Sequence, residues 1–180
     1  VLVIGGGPAG SCAATLLAQQ GWGVVMLEKC VHPRFHIGES LLPLNMPILE
    51  RMGVLEKVRE VGLLKLGADF PADDGTFNVF DFSRTLRESP TFAFQVKREE
   101  FDEVLFAHAR ESGVDARDGV RVERIEFAGD DIHVHAADGS HWQPRYLLDA
   151  SGRDAFLGGK LKLKRKNARH ASAAVFSHYR

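Results

Sequence analysis

The sequence predicts an α/β fold: a parallel sheet flanked by helices, with an antiparallel meander near residues 119–148. Three patterns predict it. The chain opens on four apolar residues, Val1-Leu-Val-Ile4, then the glycine-rich run Gly5-Gly-Gly-Pro-Ala-Gly10, a helical stretch, and a second apolar run ending at Glu28. That is the order of a βαβ unit. Residues Phe101, Val104, Leu105 and Ala109 recur at helical spacing within Arg98 to Ser112. Finally, the strand-like segments 120–128, 131–137 and 141–148 are separated by Gly129-Asp-Asp131 and Asp138-Gly-Ser140, which suit tight turns.

Each element follows from its local pattern. Val1–Ile4 is short, apolar and bounded by glycine, as a buried strand should be. Ser11 to Gln20 reads as a helix with Ala14 and Leu17 on one face and Gly21 as its C-cap. Val24 to Glu28 is the second strand, followed by a loop punctuated by Pro33, Gly38 and Pro43. Residues 45–61 have the helical set Ile48, Leu49, Met52, Leu55 and Val58, with a break at Gly53. Lys65 to Phe70 reads as a short strand, Asp73-Asp-Gly75 as a turn, and Thr76–Phe82 and Phe92–Val96 as alternating strands.

Composition bounds the function classes. Of 180 residues, 44% are hydrophobic and 26% charged, with a formal net charge of −1. Nothing global points to nucleic acid or to an anionic membrane. No apolar run approaches the roughly 18 residues that span a bilayer, and no secretory signal precedes the first strand. The two cysteines, Cys12 and Cys30, read as reduced thiols of a cytoplasmic protein. The chain starts within a core strand and stops at Ala173–Arg180 as another begins. The expectation is one domain over residues 1–180, cut at both ends, with strands of a second domain beginning near 65–96 and 171–180.

The opening motif carries chemistry. Gly5 permits a tight turn out of the strand, Gly7 lets a pyrophosphate approach the backbone, and Gly10 lets the helix pack close to the sheet. The N-terminus of the following helix points free N–H groups and a partial positive charge at the phosphates. Glu28 lies 23 residues after Gly5. A carboxylate there can accept the ribose hydroxyls of an adenosine and repels a 2′-phosphate. The competing reading is a glycine-rich βα turn without ligand.

Beyond Glu28 four motifs become specific. Arg34-Phe-His-Ile-Gly38-Glu-Ser40-Leu-Leu-Pro43 matches R-x-x-x-G-E-S-x-x-P, and Lys65-Leu-Gly67-Ala68-Asp-Phe70 matches K-x-G-A-x-F. Asp149-Ala-Ser-Gly152-Arg-Asp-Ala-Phe156-Leu matches D-A-S-G-R-D-x-F-L, and Val96-Lys-Arg98-Glu-Glu-Phe-Asp102 matches V-x-R-x-x-F-D. With these the chain resembles the flavin-dependent halogenases of the phenol and pyrrole type, which are tryptophan-halogenase-like. They lie within the superfamily of FAD-dependent class A monooxygenases and geranylgeranyl reductases. The resemblance implies a Rossmann-like FAD-binding fold of the glutathione-reductase type, and it covers essentially the whole chain.

It also implies roles. Gly5, Gly7, Pro8, Ala9 and Gly10 would hold the FAD pyrophosphate, and Glu28 and Lys29 the adenosine. Arg34 and Ser40 belong to a strap between flavin and substrate. Arg98 would reach the adenosine or phosphate side, Val122 the adenine, and Ala150 and Gly152 would end a strand beside the cofactor. Lys65 would be catalytic. Reduced FAD, O2 and halide, the co-substrate, yield hypohalous acid, and a lysine amine can hydrogen-bond or trap it before an aromatic carbon attacks. A separate flavin reductase would supply reduced FAD, and the aromatic substrate, phenolic or pyrrolic, would arrive free or on a carrier protein. Rival readings are a class A hydroxylase or ene-reductase on the same scaffold, and a cofactor-binding fragment without activity.

Other features read as structure. Arg34 and Glu39 are alternatively a loop ion pair. His133 and His135 share a strand face but lack an evident third ligand, so a metal site is not expected. The basic stretch Lys160–Arg169 reads as a solvated connection.

Overall fold

The glycine-rich turn leads from one of the two central strands of a parallel sheet into the helix that connects them. The computed structural model describes residues 1–85, 88–165, 175 and 177. In chain order, β1 (Leu2–Ile4), α1 (Pro8–Gln19) and β2 (Val25–Leu27) form the βαβ unit. Next come α2 (Met46–Met52), α3 (Leu55–Val61), β3 (Gly62–Lys65), β4 (Gly67–Pro71), β5 (Phe77–Asp81) and β6 (Ala93–Val96). After α4 (Arg98–Glu111) and β7 (Asp115–Arg117), the meander is β8 (Val122–Ala128), β9 (Asp131–Ala136) and β10 (His141–Trp142). The described elements end with β11 (Leu147–Asp149) and α5 (Phe156–Lys160).

The parallel sheet has the order β11-β1-β2-β7. Alternation along its strands fills two cores. Val3 and Met26 face Ala14 of α1 and Phe106 and Ala109 of α4. Leu2, Ile4 and Leu27 face the meander, against Val122, Ile125 and Val134. A third core joins Met46, Leu49 and Met52 of α2 to Phe94 and Val96 of β6 and to Phe101 and Leu105 of α4. Proline at the first helical position starts α1. Gly53, in the left-handed region at φ +81°, separates α2 from α3, as expected at that position.

The structure corrects three sequence readings. The third meander strand is only His141–Trp142; Leu147–Asp149 instead pairs parallel with β1. Two adjacent apolar-containing runs look alike in sequence, and only pairing separates them. Asp115–Arg117 was not read as a strand because Ala116 is its only buried residue; it exists by pairing with Val25–Leu27. The segment Lys65–Phe70 divides: Lys65 ends β3, paired with β6, while Gly67–Pro71 pairs with β5. The strand expected over 171–180, and the basic stretch from residue 166 onward, lie outside the described residues.

Gly10 holds α1 against the sheet. A Cβ there would lie 1.8 Å from the Gly5 carbonyl oxygen, and backbone cannot yield as a side-chain tip does. Gly10→Ala should therefore cost about 3 kcal/mol or more. The urea midpoint of the full-length protein checks this; a midpoint equal to wild type would show that α1 can withdraw freely.

Candidate functional site

The C-terminal ends of β1, β2 and β11 open into one cleft of about 450 Å³. Gly5, Gly7, Pro8, Ala9, Glu28, Lys29, Arg34, Arg98, Val122, Ala150 and Gly152 all line it. Gly10 and Ser40 do not: Gly10 packs on the Gly5 carbonyl, and Ser40 lies further along its loop.

The glycines divide the work. Gly5 has φ +101°, and a Cβ would sit 2.4 Å from the Ala150 oxygen, so the turn is pressed onto the end of β11. A Cβ on Gly7 would meet only the tip of Arg34, at 3.3 Å, so Gly7 faces open cleft. Gly6, unassigned from the sequence, is also tightly enclosed: a Cβ there would lie 2.6 Å from the Phe106 ring and 2.8 Å from the Glu28 Cβ. Among the described residues no side chain caps α1, which leaves first-turn N–H groups at the cleft.

Glu28 is buried at the end of β2. Its Oε2 accepts the Gly6 N–H at 2.8 Å, and Oε1 accepts the Cys30 N–H at 3.0 Å. These bonds fix the carboxylate while leaving lone pairs for further donors. Arg34 does not pair with Glu39. Its Nη2 lies 3.6 Å from Glu28 Oε2 and its Nη1 3.3 Å from Asp102 Oδ2. Its Nε is buried without a hydrogen-bond partner. The Glu39 carboxylate instead accepts the Gly38 N–H at 3.2 Å.

Asp102 is the residue that sequence reading passed over, although it closes the V-x-R-x-x-F-D pattern. It is 0% exposed. Arg98, one turn earlier, grips it with Nε–Oδ1 at 2.8 Å and Nη2–Oδ2 at 2.9 Å. Arg98 Nη1 donates to the Ile37 carbonyl at 2.7 Å. So Arg98 lines the cleft, but its donors hold α4 and the loop carrying Gly38.

Asp149 organises the opposite wall. Its Oδ1 accepts the Ser151 N–H at 3.0 Å and hydroxyl at 2.5 Å, and its Oδ2 accepts the Leu157 N–H at 2.8 Å. Burial pushes this carboxyl up, but the hydrogen bonds from Ser151, Leu157 and Gly158 outweigh it and hold the group below its ordinary value. Lys29 forms an ion pair with Asp154 of the same wall. The cleft has five basic side chains, Lys29, Arg34, Arg98, Arg121 and Arg153, against the acids Glu28 and Asp154. With Lys29, Arg34 and Arg98 paired to acids, the uncapped helix and the cleft-lining Arg121 and Arg153 suit a diphosphate.

Lys65 stands outside the cleft. Its Nζ donates to Ser40 Oγ at 2.5 Å and to the Leu41 carbonyl at 3.1 Å, and lies 5.2 Å from the centre of the Phe82 ring. One loop, residues 34–41, thus runs from the cleft to the lysine. On the meander, His141 comes within 3.2 Å of His133, a proximity that only the β9–β10 pairing reveals.

The model of the FAD-binding domain family matches residues 1–177. The chain belongs to the FAD-binding domain family. Over 163 residues it is 40% identical to a tryptophan 2-halogenase of Chondromyces crocatus, covering 87% of this chain and 31% of that protein. It is 33% identical to a 1H-pyrrole-2-carbonyl-[peptidyl-carrier protein] chlorinase of Pseudomonas fluorescens, covering 99% and 45%. Among solved structures, a flavoprotein/dehydrogenase of Cytophaga hutchinsonii superposes with TM-score 0.85 at 35% identity, over 93% of this chain and 42% of that one. The chain thus spans less than half the length of these relatives. Among the described residues, no helix of this FAD-binding domain is long and apolar enough to cross a membrane.

The buried network makes the domain sensitive to Asp102. Asp102→Asn removes the charge that compensates two guanidinium groups and should cost about 3 kcal/mol or more, read by urea unfolding. An unchanged midpoint would show the arginines relaxing to solvent. Asp149, whose pKa is lowered on folding, stabilises the folded state above its unfolded value of about 4, and that contribution is lost as pH falls through the folded value. The stability gap between wild type and Asp149→Asn should therefore shrink below about pH 4, as measured by unfolding across pH. A pH-independent gap would mean the carboxylate charge is irrelevant.

Proposed function

We propose that the chain is the FAD-binding part of a flavin-dependent halogenase acting on a phenolic or pyrrolic substrate. The observation that carries this reading is the fixed Lys65 ammonium, joined by one short loop to the cleft. The halogenase and chlorinase names of the relatives support it. Gly7, Pro8 and Ala9 would receive the pyrophosphate on α1, with Arg34 beside them on the cleft wall. Glu28 would accept the ribose hydroxyls, and Lys29, Val122, Ala150 and Gly152 would border the adenosine. Gly5 and Gly10 keep the turn and helix close enough for this.

Bound FAD, once reduced, supplies with O2 the oxidising power that turns halide into hypohalous acid. Lys65 then hydrogen-bonds the hypohalous acid or takes the halogen on its amine, and so confines a mobile oxidant. The aromatic carbon attacks the halogen. This breaks the O–X bond of the hypohalous acid with loss of water, or the N–X bond formed when the neutral amine displaces water from the acid. The ring then loses a proton. A separate reductase supplies reduced flavin. A carrier-bound substrate is in keeping with the carrier-protein pyrrole in the name of the Pseudomonas relative. The free thiols Cys12 and Cys30 suit a cytoplasmic setting. The exposed side chains Leu63, Leu66, Phe70, Phe77, Val79 and Phe80 on and between β3, β4 and β5 support reading these strands as the start of a substrate domain.

In a full-length protein carrying this chain, Lys65→Ala should still bind FAD and consume O2. Halogenated product should fall about 100-fold or more, the scale for a group needed only in the reacting state. Lys65→Arg should not rescue it, because a guanidinium stays protonated and differs in shape. Near-normal product from Lys65→Ala would refute the role. Halide-independent oxygenation by wild type would favour the hydroxylase instead.

A further inference from the structure

We infer that Ser40 is the positioning residue of Lys65, set in place by a strand-like pairing of its loop with β6. The inference rests on the role of Lys65 in the proposed function. Ser40 forms an antiparallel bridge with Gln95, Leu41 N–H donates to the Phe94 carbonyl at 3.0 Å, and Val96 N–H donates to the Glu39 carbonyl at 2.8 Å. Residues 39–41 thus add an edge to β6, while β3 pairs along it with Leu63 opposite Gln95 and Lys65 opposite Ala93.

Directly paired residues share a sheet face, so Ser40, Gln95, Leu63, Ala93 and Lys65 lie on one face. Adjacent strands are about 4.8 Å apart, so the lysine stem must cross β6 to reach Ser40. Ala93 presents only a methyl group beside that path.

The ammonium has three donors. Among the described residues, Ser40 Oγ and the Leu41 carbonyl take two, leaving one for a reacting species. The Phe82 ring adds a cation–π contact. A lysine head is otherwise a mobile point charge on a flexible stem. Ser40, expected from the sequence to touch the cofactor, lies outside the cleft lining and spends its hydroxyl on Lys65.

The test uses Ser40→Ala and Ser40→Thr in a full-length protein carrying this chain. Reductive methylation followed by peptide mass spectrometry reads the accessibility of the Lys65 amine without requiring turnover. Ser40→Ala should raise the Lys65 labelling rate, and lower halogenated product per O2 consumed, by about tenfold each, the scale of one hydrogen bond to a charged group. Ser40→Thr, which keeps the hydroxyl, should restore both. The FAD dissociation constant, read by flavin fluorescence, should change less than about twofold, since nothing but the lysine contact is removed. Unchanged labelling in Ser40→Ala overturns the inference. So does a tenfold weaker FAD affinity with unchanged product per O2, which would make Ser40 a cofactor ligand. Absence of halogenation in wild type would fell the proposed function alone, and the labelling comparison would still decide the Ser40 contact.

Discussion

A carboxylate with no access to water has to be neutralised by the protein around it, and Asp102 is that carboxylate. Taking such a charge out of water costs several kcal/mol unless good hydrogen bonds compensate. Arg98 supplies a bidentate pair from the same helix, and Arg34 supplies a second guanidinium from the loop after β2. Arg34 also approaches Glu28, which is tied to the Gly6 N–H in the glycine-rich turn. The charges therefore lock α4, the 34–41 loop, the end of β2 and the first βα turn into one unit. The first βα turn, the end of β2 and the 34–41 loop are placed relative to one another through Asp102, while Asp149 organises the opposite wall.

The same loop has a second end. Arg98 holds it in the middle at the Ile37 carbonyl, and its far end pairs with β6 and meets Lys65. The cleft and the lysine are built from different sheets, yet one eight-residue stretch, 34–41, spans both. A connector tied at both ends fixes the separation of the cleft and the Lys65 amine, which under the proposed function would matter because an oxidant would have to pass from one to the other.

Much of this was legible in the residues. The turn, the helix start and the distal acid announce themselves because each is a local requirement: φ beyond the reach of a side chain at Gly5, no room for a methyl at Gly10, a carboxylate at a strand end. The helical periods of α1 and α4 and the break at Gly53 are local too. What could not be read was pairing. Asp115–Arg117 carries no hydrophobic pattern, since an edge strand buries one residue in three. Leu147–Asp149 follows the meander directly and joins another sheet. Arg34 and Glu39 are close in sequence, yet Arg34 turns to acids at positions 28 and 102.

Short-range sterics and spacing, then, settled the dinucleotide-type turn and the helices, because backbone strain and amphipathic period act within a few residues; Lys65 is singled out only by its resemblance to a family motif. Long-range electrostatics settled the rest. Asp102 reads only as the last residue of the V-x-R-x-x-F-D pattern until the fold buries it, and Ser40 reads as part of a strap until β6 brings Lys65 to its hydroxyl. The partner of a buried charge or a hydroxyl is whichever group the fold carries within about 3 Å, and sequence distance does not constrain that.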